Sequence, residues 1–325
     1  MPKSVKERMK MLYLWIGIIV LILILAVLIG AYVVYNMAFA RNDKLIGPPE
    51  EFPNTEFYTP YVEKMVKNIK AFGELPYENV YTQSYDGLKL HGRFYEGKKD
   101  KPVIIFFHGY RANAMRDGSG IHTLGTVKGL NVLIITQRAH KESEGKTITF
   151  GIRESKDCLS WIDYVKERFG EDKKVILWGI SMGAATVMTA VGRDLPDNVI
   201  GIGADCGFSS AKDILRCVIK EMKLPVGPAY FLVKLGARIY GGLDVEETSA
   251  VESLKKAKVP ILFIHGVDDD FVPCYMTHQN YEACASDKSL VLVDKAGHGM
   301  SYYVDMKKVE EGVYAFLDKI MKEEK

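Results

Sequence analysis

The sequence is poor in several features that would mark it for other classes of protein. Its five cysteines, Cys158, Cys206, Cys217, Cys274 and Cys284, are odd in number and lack C-x-x-C spacing. That pattern excludes a zinc ribbon and gives no disulfide framework. They read as small apolar residues, most of them buried. Cys206 and Cys217 are candidates to face one cavity, and no bridge between them is expected. Charge of one sign is also lacking. The net charge is +2, and the first ten residues, with Lys3, Lys6, Arg8 and Lys10 against Glu7, contribute +3, leaving the rest near −1. No nucleic-acid-binding surface is expected from that balance. There is no internal repeat and no low-complexity tract.

One stretch has no charge at all. Residues 11–40 contain no Asp, Glu, Lys or Arg, and the apolar heart at 12–35 is 24 residues long, roughly 36 Å as a helix. A hydrocarbon core of about 30 Å is spanned by that length with some tilt. A helix apolar on every face is not the surface helix of a soluble domain. Tyr13 and Trp15 at one end and Tyr32 and Tyr35 at the other suit the two interfaces. Basic residues before the span outnumber Arg41 and Lys44 after it. The expectation is a single-pass signal anchor in the cell membrane: a cytoplasmic tail at 1–10, a span at 11–36 and the catalytic domain extracytoplasmic. Ala38-Phe39-Ala40 offers a small-x-small cleavage site, but the apolar region is longer than the usual signal-peptide core. Residues 37–78, with Pro48, Pro49, Pro53 and Pro60, read as a juxtamembrane linker. It carries one short helix at 60–72, with Tyr61, Met65, Val66 and Ile69 on one face.

The remaining 79–325 alternate strand and helix signals. Segments 80–85 and 88–95 flank Asp86-Gly87 as a hairpin. Apolar runs at 103–107, 132–136, 175–178, 199–204, 261–264 and 290–293 read as buried strands. Residues 153–169 form an amphipathic helix with Cys158, Trp161, Ile162 and Val165 on one face, and 301–321 form a closing helix. The alternation implies an α/β fold with a mostly parallel central sheet and helices on both faces. Residues 208–258 interrupt it with helical spacing only: Ile214, Val218 and Met222, then Tyr230, Leu232, Val233 and Ile239. About fifty residues exceed an ordinary connection, so a small helical cap above the catalytic edge is expected.

The chemistry centres on Gly179-Ile180-Ser181-Met182-Gly183. A buried strand precedes it and a small-residue helix follows, the context in which G-x-S-x-G forms a nucleophile elbow. The flanking positions must lack bulk, and the turn lifts the Ser181 hydroxyl clear of the sheet. A serine hydroxyl needs a base. His298, in Ala296-Gly297-His298-Gly299 after the last strand, fits that role. The base needs a carboxylate, and the strand at 261–264 leads into Asp268-Asp269-Asp270. Asp205 is a second candidate, better suited to bonding nearby backbone. The backbone N–H groups of Met182 and Tyr110 are the expected oxyanion donors, with Gly109 permitting close approach and His108 structural.

The order serine, aspartate, histidine is that of α/β-hydrolases. The chain resembles bacterial membrane-anchored α/β-hydrolases of the serine aminopeptidase and prolyl-oligopeptidase-like group over residues 80–325. The matching pieces are FFHGYRAN, QRAHKESEGKTITFG, ILWGISMGAATV, ADCGFSS, FIHGVDDDFVP and AGHGMSYY. The resemblance puts the triad on Ser181, Asp269 and His298, since the family's acid lies three residues before Val272-Pro273. Lys141 departs from it, standing where relatives often carry glycine, at the expected pocket rim. The function expected is a serine hydrolase acting on a carboxylic ester through an acyl-enzyme, with the acyl pocket under the cap. A peptidase or amidase is the alternative within the class, acyl transfer to an alcohol a further one, and an inactive membrane-tethered binding protein the alternative outside it. The expected partners are a small-molecule or peptide acyl substrate and the membrane. No metal or organic cofactor is implied, and the cap has no basic run to read a phosphate.

Overall fold

The computed structural model describes residues 4–52 and 58–322 of the chain. Lys3 of the basic N-terminal cluster and Pro53 of the linker lie outside the described residues. In chain order, helices α1 (Ser4–Ala38) and α2 (Val62–Gly73) precede β1 (Glu78–Gln83), β2 (Lys89–Tyr95), β3 (Val103–Phe107), α3 (Ala114–Lys128), β4 (Asn131–Thr136) and α4 (Glu154–Phe169). Then come β5 (Val175–Ile180), α5 (Met182–Ala190), β6 (Val199–Asp205), α6 (Ala211–Glu221), α7 (Val226–Gly241) and α8 (Ala250–Leu254). The chain ends with β7 (Ile261–Gly266), α9 (Tyr275–Ala283), β8 (Lys288–Val293), α10 (Ser301–Val304) and α11 (Met306–Lys322).

The strands form one eight-stranded sheet in the order β1-β2-β4-β3-β5-β6-β7-β8. β1 and β2 are an antiparallel hairpin, β2 joins β4 antiparallel, and every other neighbouring pair is parallel. All residues of β3, β4 and β7 are buried. β3 is apolar throughout, and the apolar runs 132–135 of β4 and 261–264 of β7 are likewise covered by helices on both faces. Trp161, Ile162 and Val165 of α4 and Val187 of α5 pack on one face, against Ile105, Leu177 and Phe263. Leu124 of α3 and Phe316, Leu317 and Ile320 of α11 pack on the other, against Phe106, Trp178 and Leu262. The order of strands reverses about β3 and β5, and ligands of open α/β sheets sit outside the strand ends at such a switch point.

Several elements differ from the sequence reading. The closing helix is two helices. Asp305 breaks it, and its carboxylate accepts from Lys308 N at 3.0 Å, starting α11 with a side-chain cap. Helix α3 escaped notice because its Gly118, Gly120 and Gly125 weaken the helical signal. A Cβ at Gly118 would collide with Ile134, so close packing on the sheet requires the glycine. In α6 the buried face is Ile214, Leu215 and Ile219, and Met222 is exposed. In α7, Tyr230, Val233, Gly236 and Ala237 are buried and Ile239 is exposed.

Helix α1 does not stand clear of the domain. Most of its described residues before Ala31 are exposed, but Ala31 is fully buried, as is Phe39 just past its end, and α7 packs along its later part. A Cβ at Gly236 would run into the Ala31 carbonyl, so the two backbones approach as closely as a glycine allows. The chain then enters the domain at once. Arg41 N donates to Lys146 O at 2.8 Å, and the Arg41 guanidinium donates to Ser143 O at 2.7 Å. The span expected at 11–36 is one part of this longer helix.

Candidate active site

The elbow between β5 and α5 is a strained turn. Ser181 sits at φ 55° and ψ −116°, a backbone region that costs a residue with a side chain on the order of 1–3 kcal/mol. The surrounding structure holds it there. Ser181 N donates to Asp205 O at 2.8 Å, and Ala185 N donates to Ser181 O at 3.0 Å. A Cβ on Gly183 would overlap the Phe107 carbonyl, and one on Gly179 would overlap Gly183. These two glycines are what let α5 leave directly over the end of β3.

The loops after β7 and β8 bring the acid and the imidazole to the same edge. His298 Nε2 lies 2.9 Å from Ser181 Oγ, and His298 Nδ1 lies 2.7 Å from Asp269 Oδ2. The other carboxylate oxygen of Asp269 accepts from Phe271 N at 2.9 Å and Val272 N at 2.8 Å. Those two bonds fix the carboxylate, and its neighbours Asp268 and Asp270 take no part in the chain. His265 Nε2 lies 3.2 Å from Asp269 Oδ2 and donates to Val272 O at 2.8 Å. Burial by itself would raise the Asp269 carboxyl. The hydrogen bonds from His265 and His298 overcome this and hold it well below the usual carboxylate range. Burial would likewise lower His298, but the bond to Asp269 and the charges of Asp269, Asp205 and Asp117 hold it above its ordinary 6.5. With Nδ1 turned to the carboxylate, Nε2 faces the Ser181 hydroxyl.

The turn after β3 lies against the serine. Gly109 faces Ser181 so closely that an added Cβ would touch the Ser181 Cβ at 3.5 Å, and Gly109 N donates to Asp117 Oδ2 at 2.9 Å. Tyr110 follows it, and Met182 opens α5. The Tyr110 hydroxyl donates to Ala38 O at 2.9 Å and its ring stacks on Phe150, so this turn is tied to the end of α1. His108 is buried with both ring nitrogens bonded to backbone. Nδ1 donates to Gly109 O at 2.7 Å and Nε2 accepts from Gln137 N at 3.0 Å. Burial pushes it down to about 4, so it stays neutral. Lys141 adopts a left-handed φ of 36°, which explains why glycine would suit the position. It does not line the cavity described next. Its Nζ donates to Asp43 O at 3.1 Å and Ile46 O at 2.8 Å, clamping the segment after α1.

A cavity of about 220 Å³ opens beside Ser181 and His298 and runs inward between the sheet, α2, α3 and α11. Its depth is apolar: Met65, Phe106, Ile121, Leu124, Trp178 and Val309. No residue of 208–258 lines it, contrary to the expected pocket under the cap. The linker lines it instead, through Phe52, Tyr58 and Met65. The Tyr58 hydroxyl donates to His298 O at 3.2 Å. Burial first, and the Asp117 charge second, push that hydroxyl up to about 12, so it remains a donor. Sequence reasoning missed Tyr58, Phe52 and Asp117. The one signal was two aromatics set in a proline-marked polar stretch. Asp205 also lines the cavity. It does not bond backbone through Oδ1, which is buried without a partner among the described residues, and burial pushes the carboxyl up to about 7.

All five cysteines are free, with Cys158, Cys206 and Cys284 buried. Cys206 Sγ, an Asp269 carboxylate oxygen and a His298 ring nitrogen lie within 4.8 Å of one another. As a metal set it fits poorly. Metal binding needs a thiolate, and burial holds the Cys206 thiol well above its ordinary range, while the other two groups already bond each other.

A parallel-centred sheet with a serine elbow and a histidine loop at its switch point defines an α/β-hydrolase. Residues 148–324 match the prolyl oligopeptidase family. YqkD of Bacillus subtilis is 30% identical over 217 residues, covering 66% of this chain and 71% of its own length. The α/β hydrolase domain-containing protein WAV2 of Arabidopsis thaliana is 25% identical over 265 residues, covering 79% of this chain and 80% of its own. Among solved structures, the Pyrococcus furiosus esterase Pf2001 superposes with a TM-score of 0.63 at 23% identity, over 86% of this chain and 99% of that one. The chain belongs to the prolyl oligopeptidase family, and it is a serine hydrolase of the α/β fold.

Proposed function

We propose that this protein is a membrane-anchored hydrolase that cleaves carboxylic esters through Ser181, His298 and Asp269. The observation that carries the reading is the continuous hydrogen-bonded chain from Asp269 through His298 to Ser181, opening on an apolar cavity. Ser181 Oγ attacks the acyl carbonyl as His298 Nε2 takes its proton. The N–H groups of Met182 and Tyr110 stabilise the oxyanion. The imidazolium returns its proton to the departing alkoxide, leaving an acyl-enzyme and an alcohol. A water molecule, deprotonated by His298, then attacks the ester, and the carboxylic acid leaves as Ser181 regains its proton. Asp269 keeps Nδ1 protonated and stabilises the imidazolium throughout.

The ester reading is supported by the apolar cavity and by the likeness to an esterase. The family's name supports a peptide bond as the second reading. Anchoring is supported by the apolar, exposed length of α1, and a cytoplasmic N-terminus by Lys6, Arg8 and Lys10 ahead of it. The test is a panel of p-nitrophenyl esters and aminoacyl amides, run with fluorophosphonate labelling. Ester turnover and labelling are expected in the wild type. Ser181→Ala is expected to lose labelling and at least about 10⁴-fold in kcat. Equal labelling of Ser181→Ala would remove Ser181 from the mechanism, and turnover confined to the amides would select the peptidase reading.

A further inference from the structure

Helix α7 keeps part of its apolar surface uncovered. Phe231, Leu235 and Ile239 fall at i, i+4 and i+8, one stripe along the helix, with Phe231 58% and Ile239 49% exposed. The core helices treat such residues differently. The apolar residues of α4 and α11 that recur at this spacing are buried against the sheet. The stripe on α7 also sits beside α1. Leu235 closes a wholly apolar groove with Leu23, Ile24, Val27 and Leu28 of α1. The Tyr240 hydroxyl donates to Leu28 O at 3.1 Å, and the Tyr240 ring packs edge-on against Tyr32 at 5.1 Å.

These contacts fix a depth. Leu28 precedes Tyr35 by seven residues, roughly 10 Å along the helix axis. If α1 crosses a bilayer with Tyr32 and Tyr35 at the outer interface, then Leu235, set against residues 23–28, lies on the hydrocarbon side of those tyrosines, and Tyr240, whose ring packs on both, lies level with them. Water cannot cover Leu235 at that depth, and Phe231 and Ile239 continue its stripe along α7 in either direction. The exposed Arg238 flanks it, with a stem long enough to carry its charge back to the headgroups, and Lys234 on the same helix pairs with Glu246 at 2.7 Å. A basic-flanked apolar stripe on a helix of sixteen residues is the composition of a helix that lies in the interface.

We infer that α7 is a second membrane-embedded element, seated obliquely in the outer leaflet against α1, with its Phe231-Leu235-Ile239 stripe covered by lipid acyl chains. The inference rests on the anchoring proposed for α1. It gives the cap a role other than lining the pocket: it holds the domain at a set height and tilt above the bilayer. The groove between α1 and α7 is continuous with the lipid-facing surface of α1, which is why lipid is its occupant and not a folded partner.

The test uses the full chain reconstituted into phosphatidylcholine–phosphatidylglycerol vesicles. Nitroxide labels are placed at Phe231→Cys and Ile239→Cys in a Cys217→Ser/Cys274→Ser background, which removes the two half-exposed thiols. Val27→Cys in α1 and Lys99→Cys, on the loop before β3 at the opposite edge of the sheet, are references. Each variant is first checked for an unchanged unfolding temperature. Labels at 231 and 239 are expected to behave as at 27, broadened by oxygen and protected from a water-soluble nickel chelate, while the label at 99 shows the reverse. Nickel broadening at 231 and 239 equal to that at 99 would overturn the inference while leaving the anchor intact. Protection from both reagents would overturn it in favour of a second protein copy. Nickel broadening at 27 as well would overturn the anchor and the inference together.

Discussion

Two stretches lie outside the central sheet, and their amino acids suggest opposite uses. Residues 37–78 are mostly polar and proline-marked, the composition of a tether. Residues 208–258 are helical and amphipathic, the composition of a cap over a pocket. In the structure the tether supplies Phe52, Tyr58 and Met65 to the cavity, and Tyr58 bonds the backbone of His298. The cap supplies none of the cavity wall and packs α7 on α1. Amphipathicity states that a face will be covered without stating by what. A single aromatic at the right distance from a loop contributes more to a site than a whole helix turned elsewhere.

That contrast can be broken most directly by filling the cavity. Gly120 of α3 lines it, and a side chain there would meet only Tyr302, with an added Cβ at 3.5 Å. Gly120→Leu is expected to lower kcat/KM for long relative to short p-nitrophenyl esters by on the order of 10–200-fold. Ala229→Leu, in the cap, is expected to leave that ratio unchanged, and a shift in it would return the pocket to the cap. Next in size is the α1–α7 crossing. Gly236→Val forces the two backbones apart and is expected to cost about 1–3 kcal/mol in denaturant unfolding in detergent, with the ester chain-length profile unaltered. A smaller effect is expected from Tyr58→Phe. Loss of its bond to His298 O is worth about 0.5–1.5 kcal/mol, a drop of a few-fold in kcat/KM. Tyr230→Phe removes a cap bond of 3.0 Å to Glu246 and is expected to change stability alone.

The smallest expected effect concerns pH. Only neutral His298 can take the serine proton, so the acid limb of kcat/KM is expected above pH 6.5, because the folded protein holds His298 above that value. Asp205, whose carboxyl burial pushes up to about 7, adds to this only where it is ionised. Asp205→Asn removes that contribution, so the limb is expected to move to lower pH with the plateau retained. A limb that does not move would show that Asp205 is protonated throughout the range.

The strands read at 103–107, 175–178 and 199–204 were legible because they are buried on both faces and therefore short runs of apolar and small residues. The elbow was legible because Gly179 and Gly183 stand where a Cβ would strike backbone, a constraint written in residue type. The three aspartates after β7 were not separable by composition. Asp269 was distinguished only by its distance from Val272-Pro273, and the reason for that distance is the pair of N–H bonds its Oδ1 accepts from Phe271 and Val272. Helix α3 was illegible because the glycines that let it lie against Ile134 are the residues that weaken a helix in isolation.

By itself the sequence determined the alternation of buried strands and amphipathic helices, the strained turn at Ser181 and the uncharged length of α1. Each is written in a pattern of residue types close together along the chain. Only the tertiary structure decided that the linker would floor the cavity, that the cap would grip α1, and that Asp205 would line the same cavity as His298. Those are contacts between residues tens to hundreds of positions apart. Hydrophobic burial drives them without direction, so the partner is chosen by the shape of the whole packed body.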